Sequence, residues 1–365
     1  MTSDLSRQAF ASGLEPVAAP AGDRLGAVAI RGLGAVGGFG CGRAELLQAW
    51  RNPPGPNGKV EVVGSAGARS VPAFLADSGP LDEVVPRRKL RRVDRFSRLV
   101  TLAAHLALAD GDALDFDRGR LGVVMATGYG ANHTTFRFLD DCLDYGAAAA
   151  SPLLFSGAGH SGALSNLTIL LEITGPLLTV CQPTMPIASA LATAICWLRE
   201  GRAEAVLVGG AEEYVPLLGY ARERARPDKG EALSAVGEGA AFLLLTPTAG
   251  RRTEPGLDLL LHYPGESAGE TIQFPDNSPV LGNQTRCGRE SAAWRKARQE
   301  HKAGWLDTGV LFGDLPTALI FNLTLAAALW ANSGEGAKHP YLHCVETGQD
   351  GGWVRATVGQ FSGLR

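Results

Sequence analysis

Apolar and polar positions in the middle of the chain follow a strand–turn–helix–strand pattern. The short apolar run Leu177–Cys181 comes after a Gly-Pro pair and predicts a buried strand. Apolar residues then recur at helical spacing from Pro186, which suits the first position of a helix, as far as Arg199. Residues 205–208 predict a second buried strand, which the glycine pair at 209–210 should end. A side chain held at the turn would face the N–H groups that begin the helix, and this suits a nucleophile or an oxyanion hole.

This stretch resembles the nucleophile elbow of the β-ketoacyl synthases, which have the thiolase fold. The elbow of that family opens with Gly-Pro, and its helix leads to a strand that ends in Val-Gly-Gly. Residues 175–176 and 208–210 match these two anchors. Counting from either anchor places the family's catalytic cysteine at Thr184. A threonine hydroxyl is a poor nucleophile unless a base activates it.

Three further segments resemble the same family. Residues 26–30 predict a strand, and the glycine-rich residues 31–40 predict the turn that follows it. Residues 91–96 have the pattern Arg-Arg-x-Asp-Arg-Phe before an Ala-rich helix, and residues 237–241 give Gly-Glu-Gly-Ala-Ala. The resemblance implies an α/β chain with the five-layered αβαβα thiolase fold, built from two similar halves. The expected divisions are a flexible lead at 1–23, an N-terminal half at 24–247 and a shortened C-terminal half at 255–365.

The second half lacks the family's catalytic histidines. The resemblance implies a His-Gly-Thr-Gly-Thr motif after the strand Gly256–His262, but residues 264–305 contain no such motif and end in a charged helix predicted over 289–302. The second histidine should follow a glycine and precede a helix of small residues, where this chain has Asp314. Condensation needs a thiolate to hold the acyl chain and two histidines to stabilise the charge formed on decarboxylation. We therefore expect no catalytic residue, with Thr184 and Asp314 as degenerate positions, and no condensing activity.

A ketosynthase that keeps its fold but lacks its catalytic groups resembles a chain-length factor. In type II polyketide synthases this subunit forms a heterodimer with an active ketosynthase and shapes the tunnel that holds the growing acyl chain. The resemblance leaves open whether the product is a polyketide or a polyene. The alternative is that Phe136 and Phe138 have a structural role only and pack in the core. The residues that map to the tunnel and interface are Tyr129, His133, Thr134, Thr135, Phe136, Phe138 and Cys181.

Seven basic residues between Arg87 and Arg98 precede an apolar helix. These residues either form a solvent-exposed start of the helix or bind an acidic partner. The resemblance implies that this partner is an acyl carrier protein bearing phosphopantetheine, and it implies no cofactor for the chain itself. The expected docking residues are Arg87, Arg88, Arg91, Arg92 and Arg95.

Composition narrows the class of protein further. The chain has 365 residues, 45% of them hydrophobic, and a formal net charge of -3, which gives no indication of a nucleic-acid partner. A basic leader with an apolar core is absent, as is any apolar run of about 18 residues, so we expect a cytoplasmic protein without a membrane partner. The six cysteines are scattered without a C-x-x-C pair, which predicts reduced thiols and no metal site.

Two other classes of function remain open. One is an atypical acyltransferase or decarboxylase with a relocated nucleophile, for which Cys181, three residues before Thr184, is the candidate. The other is a stand-alone protein that binds acyl groups or a carrier protein. Fast alkylation of Cys181 would favour the first class, and stability of the chain without a ketosynthase would favour the second.

Overall fold

The structure is a computed structural model, and it describes most of the chain. The described residues are 23–64, 67–225, 235–247, 254–262, 272, 274, 276, 278–283, 298–301, 304–332, 341–348 and 352–361. The expected lead at 1–23 thus lies outside them apart from Asp23, and the predicted helix over 289–302 lies mostly outside them.

Strands and helices alternate along the described residues. The strands are β1 (Asp23–Arg24), β2 (Val28–Gly37), β3 (Gly40–Cys41), β4 (Gly58–Gly64), β5 (Gly67–Phe74), β6 (Leu121–Thr127), β7 (Leu177–Cys181), β8 (Ala205–Glu212), β9 (Val236–Gly237), β10 (Gly239–Thr246), β11 (Gly256–His262), β12 (Val280–Gly282), β13 (Trp305–Asp307), β14 (Tyr341–Thr347) and β15 (Trp353–Gly359). The helices are α1 (Arg43–Arg51), α2 (Leu81–Val84), α3 (Arg87–Leu90), α4 (Arg95–Asp110), α5 (Asn132–Tyr145), α6 (Pro152–Ala158), α7 (Gly162–Leu171), α8 (Pro186–Arg199), α9 (Pro216–Ala225), α10 (Gly309–Phe312) and α11 (Ala318–Ala331).

The main sheet contains the same strand arrangement twice. The first group has the spatial order β2-β10-β8-β6-β7, and the second has the order β11-β15-β14-β12-β13. In both groups the strand that comes first in the chain pairs antiparallel with the fifth, the fifth pairs antiparallel with the fourth, and the remaining pairs are parallel. The groups meet where β2 pairs with β11 at Ala29 and Val28. The predicted two similar halves are therefore confirmed by topology.

Helices separate the two halves and cover the outer side of the first half. Helices α4 and α7 pack on one face of the first group of strands. Helices α8 and α11 lie between the groups, in one continuous apolar cluster to which strands of both halves contribute. Helix α11 is buried along nearly its whole length, which explains why its sequence is apolar on every side. A smaller cluster around Val280 and Trp353 forms the outer face of the second half.

Most of the glycine-rich segment after the first predicted strand is strand, and only residues 38–39 form a turn. Strand β2 continues to Gly37 because Gly32 and Gly34 let helix α4 approach closely. A Cβ added at Gly32 would lie 2.2 Å from the carbonyl oxygen of Ala107, and one at Gly34 would lie 2.2 Å from that of Ala103. The prediction of a turn was therefore wrong for residues 31–37 and right for residues 38–39.

Two predictions for the elbow strands also need correction. Strand β8 runs through the glycine pair to Glu212, because β6 and β10 hydrogen-bond it on both sides and a Cβ at Gly209 would lie 2.3 Å from the carbonyl oxygen of Ala241. Strand β7 has the predicted bounds, but among the strands that the structure describes it is the last of the sheet and pairs with β6 alone. Leu177 and Leu178 are consequently 43% and 38% exposed instead of buried.

Candidate functional site

The predicted elbow is present between β7 and α8. Thr184 stands two residues before Pro186, the first residue of the helix. Met185 between them has φ 51° and ψ 39°, a left-handed conformation that residues other than glycine seldom adopt. The side-chain amide of Gln182 donates hydrogen bonds to the carbonyl oxygens of Thr184 at 3.0 Å and Met185 at 2.9 Å. These bonds hold the sharp turn that places Thr184 at the start of the helix.

A cavity of about 300 Å³ lies in front of this turn. Thr184 reaches it from the first half and Asp314 from the second, so the two degenerate positions meet at one site. Asp314 is fixed by backbone hydrogen bonds, since its N–H donates to Ala235 at 3.0 Å and its carbonyl oxygen accepts from Gly237 at 3.2 Å. The cavity is lined by Tyr129, Pro183, Thr184, Glu212, Glu213, Tyr214, Leu218, Val236, Gly237, Asn283, Asp314, Pro316, Ala318, Leu319, Asn322, Val345, Glu346 and Thr347.

Carboxyl groups are among the ionisable groups of the cavity lining that the structure describes. Glu212, Glu213, Asp314 and Glu346 contribute to it, and none of the described lining residues is lysine, arginine or histidine. Glu212 is buried and accepts a hydrogen bond from the backbone N–H of Gly128. Among its described residues, the site thus has no imidazole to act as a base or as a donor to an oxyanion.

Glu213 is one carboxyl group of this lining whose pKa is shifted by its surroundings. Burial raises the pKa of Glu213 to about 7, and the nearby carboxylates of Asp94 and Glu238 raise it as well. The backbone N–H of His133, which donates to Glu213 at 2.8 Å, and the guanidinium of Arg95 act in the opposite direction. Glu213 therefore holds its proton into the neutral pH range.

Asn283 is a cavity residue that the sequence did not indicate. It directly follows β12, and its side-chain amide donates to the carbonyl oxygen of Gly313 at 2.6 Å. This hydrogen bond joins the loop after β12 to the residue that precedes Asp314. A lone asparagine after a three-residue strand matches no catalytic motif and therefore gave no signal.

The predicted tunnel residues fall into two places. Tyr129 lines the cavity together with Thr184 and Asp314. The others of this set, apart from Cys181, lie on α5, which packs against α6. Thr134 is buried, the Thr135 hydroxyl donates to the carbonyl oxygen of Ala131 at 2.9 Å, and Phe138 contacts Phe155 with ring centroids 5.5 Å apart. The remaining members are His133, which is exposed, and Phe136, which is half-buried.

Cys181 lies on the exposed strand β7 and is not among the cavity-lining residues. Burial of part of its side chain raises the pKa of the thiol, and the carboxylate of Glu212 raises it further. A raised pKa reduces the thiolate fraction at neutral pH, and the thiolate is the reactive form. The environment of Cys181 thus disfavours nucleophilic chemistry.

The basic residues before α4 differ in their surroundings. Arg95 forms a two-pronged pair with the buried carboxylate of Glu238, with its Nη1 donating to Oε2 at 2.9 Å. The Nε of Arg87 lies 3.6 Å from the Oδ2 of Asp82. The other predicted docking residues are exposed and have no ion pair among the described residues: Arg88, Arg91 and Arg92. The pair with Glu238 thus ties Arg95 to the fold, and all five arginines are exposed at and before the start of α4.

Comparison with known proteins identifies the family. The family model of the β-ketoacyl synthase N-terminal domain matches residues 59–248. This chain belongs to the β-ketoacyl synthase family. This chain is 27% identical over 181 residues to 3-oxoacyl-[acyl-carrier-protein] synthase 2 of Mycobacterium bovis, and the alignment covers 45% of this chain and 43% of that protein. The match thus spans less than half the length of this curated relative.

Solved structures of ketosynthases share the fold of this family member. The ishigamide ketosynthase/chain length factor superposes with a TM-score of 0.71 at 19% identity, covering 92% of this chain and 100% of that one. A type II PKS acyl-carrier protein in complex with its ketosynthase bound to the hexaketide gives a TM-score of 0.69 at 16% identity, covering 93% and 99%. The predicted thiolase-like α/β fold is therefore confirmed. Across the residues that the structure describes, every helix is too short or too polar to span a bilayer.

Proposed function

We propose that this ketosynthase-family chain is a non-condensing subunit of the chain-length-factor type. It would form a heterodimer with an active β-ketoacyl synthase and shape the acyl tunnel in type II polyketide or polyene biosynthesis. The observation that carries this proposal is the pair Thr184 and Asp314 at one cavity whose described lining contains no histidine or cysteine. A hydroxyl without a base is a weak nucleophile, and a carboxylate repels the negative charge that decarboxylation creates.

The exposed edge of the sheet supports the pairing part of the proposal. Within the described part of the chain, strand β7 pairs on one side only and exposes Leu177 and Leu178. An unpaired edge strand with apolar side chains favours contact with another chain. The likeness of the fold to a ketosynthase/chain length factor agrees with a partner of the same family.

Carrier-protein docking is the second part of the proposal. Arg87, Arg88, Arg91 and Arg92 form an exposed basic surface just before α4. A carrier protein with an acidic surface would dock there and present its phosphopantetheine-linked chain. One solved relative is a ketosynthase in complex with its acyl-carrier protein, which agrees with this arrangement.

The test uses the reconstituted pair of this chain and the active β-ketoacyl synthase encoded nearest to it. Replacing Thr184 by alanine in this chain should leave the rate of product formation within about twofold, because condensation takes place on the partner. Changing the catalytic cysteine of the ketosynthase to alanine is the matched control and should abolish products. A loss of about a hundredfold or more on Thr184→Ala would overturn the proposal, since removing a nucleophile has effects of that size or larger.

A further inference from the structure

Two consecutive glutamates where β8 ends bind the loop that joins β6 to α5 and the start of α5 itself. Glu212 accepts a hydrogen bond from the backbone N–H of Gly128, the first residue of that loop. Glu213 accepts a hydrogen bond from the backbone N–H of His133, the second residue of α5, at 2.8 Å. Both glutamates are buried, and both line the cavity. Carboxyl groups of the cavity wall therefore hold the connection from β6 into α5.

The start of α5 has no cap from its own sequence. Ala131 stands at the N-cap position, and its side chain has no atom that accepts a hydrogen bond. The first N–H groups of a helix lack a partner inside the helix, and His133 carries one of them. The backbone N–H of Thr135, two residues later, already donates to the carbonyl oxygen of Ala131 at 2.9 Å. Glu213 thus supplies from a different element the acceptor that an N-cap side chain usually supplies.

The residues that directly follow His133 are those predicted to limit the acyl tunnel. Thr134 is buried, and Phe136 is half-buried. The Thr135 hydroxyl also lies 3.3 Å from the carbonyl oxygen of Ala158, to which it donates at the end of α6. Each residue of a helix is displaced from the one before it by about 1.5 Å and a fixed rotation, so the place where α5 begins sets the place of all these side chains. A shift of the first turn would move them together.

We propose that Glu213 is a positioning residue for the acyl tunnel: its carboxyl oxygen fixes the first turn of α5 and thereby the side chains that limit product length. This inference rests on the proposed function and adds to it a residue outside α5. The acceptor oxygen is the group that acts, because a carboxyl group accepts a hydrogen bond from an N–H whether or not it is protonated. Glutamine keeps an acceptor oxygen at this position, whereas leucine fills the space without one.

Hydrogen–deuterium exchange at the backbone amide of His133, measured by mass spectrometry on the full chain, tests the local part of this inference. Glu213→Leu should raise the exchange rate of this amide about tenfold, because the net contribution of an ordinary hydrogen bond is lost. Glu213→Gln should restore the wild-type rate to within about twofold, since the acceptor is present again. The amide of Cys142, in the last turn of the same helix, is the internal control and should exchange equally in all variants.

Two further measurements complete this test. Glu61→Leu makes the same chemical change at an exposed glutamate of β4 and should leave the exchange rate of the His133 amide as in the wild type. In the wild type itself, this amide should exchange at least about tenfold more slowly than an unprotected amide. Exchange at the unprotected rate would overturn the inference even if the leucine variant did not fold.

The lengths of the products test the effect on the tunnel, in the reconstituted pair with the active β-ketoacyl synthase encoded nearest to this chain. Glu213→Leu should broaden the distribution of product lengths, and Glu213→Gln should restore the wild-type distribution. Product lengths that Glu213→Leu leaves unchanged in an assembled pair, or that Glu213→Gln fails to restore, would overturn this inference and leave the proposed function intact. The predicted exchange rates in a chain that forms no pair with the ketosynthase would overturn the proposed function, while the hold of Glu213 on α5 would stand.

Discussion

Replacing Arg95 by alanine tests whether this arginine serves the fold or only a docking surface. Glu238 is 4% exposed, and it accepts hydrogen bonds from Arg95, from the backbone N–H of Ala76 at 2.9 Å and from that of Tyr214 at 3.3 Å. The Arg95→Ala variant leaves this carboxylate buried without its countercharge. It should also loosen the link between α4, the end of β5 and the cavity wall at Tyr214.

The size of the effect follows from burial. Removing one partner of a fully buried ion pair costs about 3–5 kcal/mol. The Arg95 side chain is 42% exposed, so water screens the charge that is left, and we expect a loss of about 2 kcal/mol in the free energy of unfolding. The control Arg92→Ala changes an exposed arginine with no ion pair among the described residues and should cost less than about 0.5 kcal/mol.

Urea unfolding followed by circular dichroism measures both variants. Adding Glu238→Gln to Arg95→Ala should restore about 1 kcal/mol, because the uncompensated charge is then gone. Equal free energies of unfolding for Arg95→Ala and Arg92→Ala would refute a structural role for Arg95. If carrier-protein binding alone fell in Arg95→Ala, the docking role predicted from sequence would be the correct one.

Three further predictions concern the tunnel, the cavity and Cys181. In the reconstituted pair, Phe136→Ala should shift products towards longer chains and Thr135→Trp towards shorter ones, measured by mass spectrometry, because side-chain volume on α5 limits tunnel depth; product lengths that stay fixed in an assembled pair would exclude such a role. The raised pKa of Glu213 means that the folded state loses stability as the pH rises from 4.5 to about 7, so Glu213→Gln should flatten the pH dependence of unfolding in that window; identical pH profiles would contradict the value. Iodoacetamide should alkylate Cys181 more slowly than the thiol of an unstructured peptide at pH 7, because the pKa of the Cys181 thiol is raised. Faster alkylation would instead support the hypothesis that Cys181 is a nucleophile.

Local signals in the sequence predicted the elbow well. The Gly-Pro pair before β7 and the proline that begins α8 each favour the element next to them in the sequence. The structure has both elements with the predicted bounds. The glycines of β2 were misassigned because their reason is distant in sequence: Gly32 and Gly34 accommodate backbone atoms of α4. The exposure of β7 was also missed, since burial depends on what covers the edge of the sheet and not on the strand itself.

The candidate site was predicted in part. Counting along the resemblance to the ketosynthases gave Thr184 and Asp314, and both line the cavity. Glu213 and Asn283 gave no signal, because their importance arises from burial and from contacts with His133 and Gly313 that only folding creates. The pairing of Arg95 with Glu238 is likewise a tertiary contact that a run of basic residues does not reveal.

Intact-mass measurement of both subunits after incubation with an acyl-loaded carrier protein tests the central claim most directly. The claim is that the cavity with Thr184 and Asp314 does not accept an acyl group. We predict that the partner ketosynthase gains the mass of the acyl group and that this chain does not. An acyl adduct on this chain that disappears in Thr184→Ala would contradict the account.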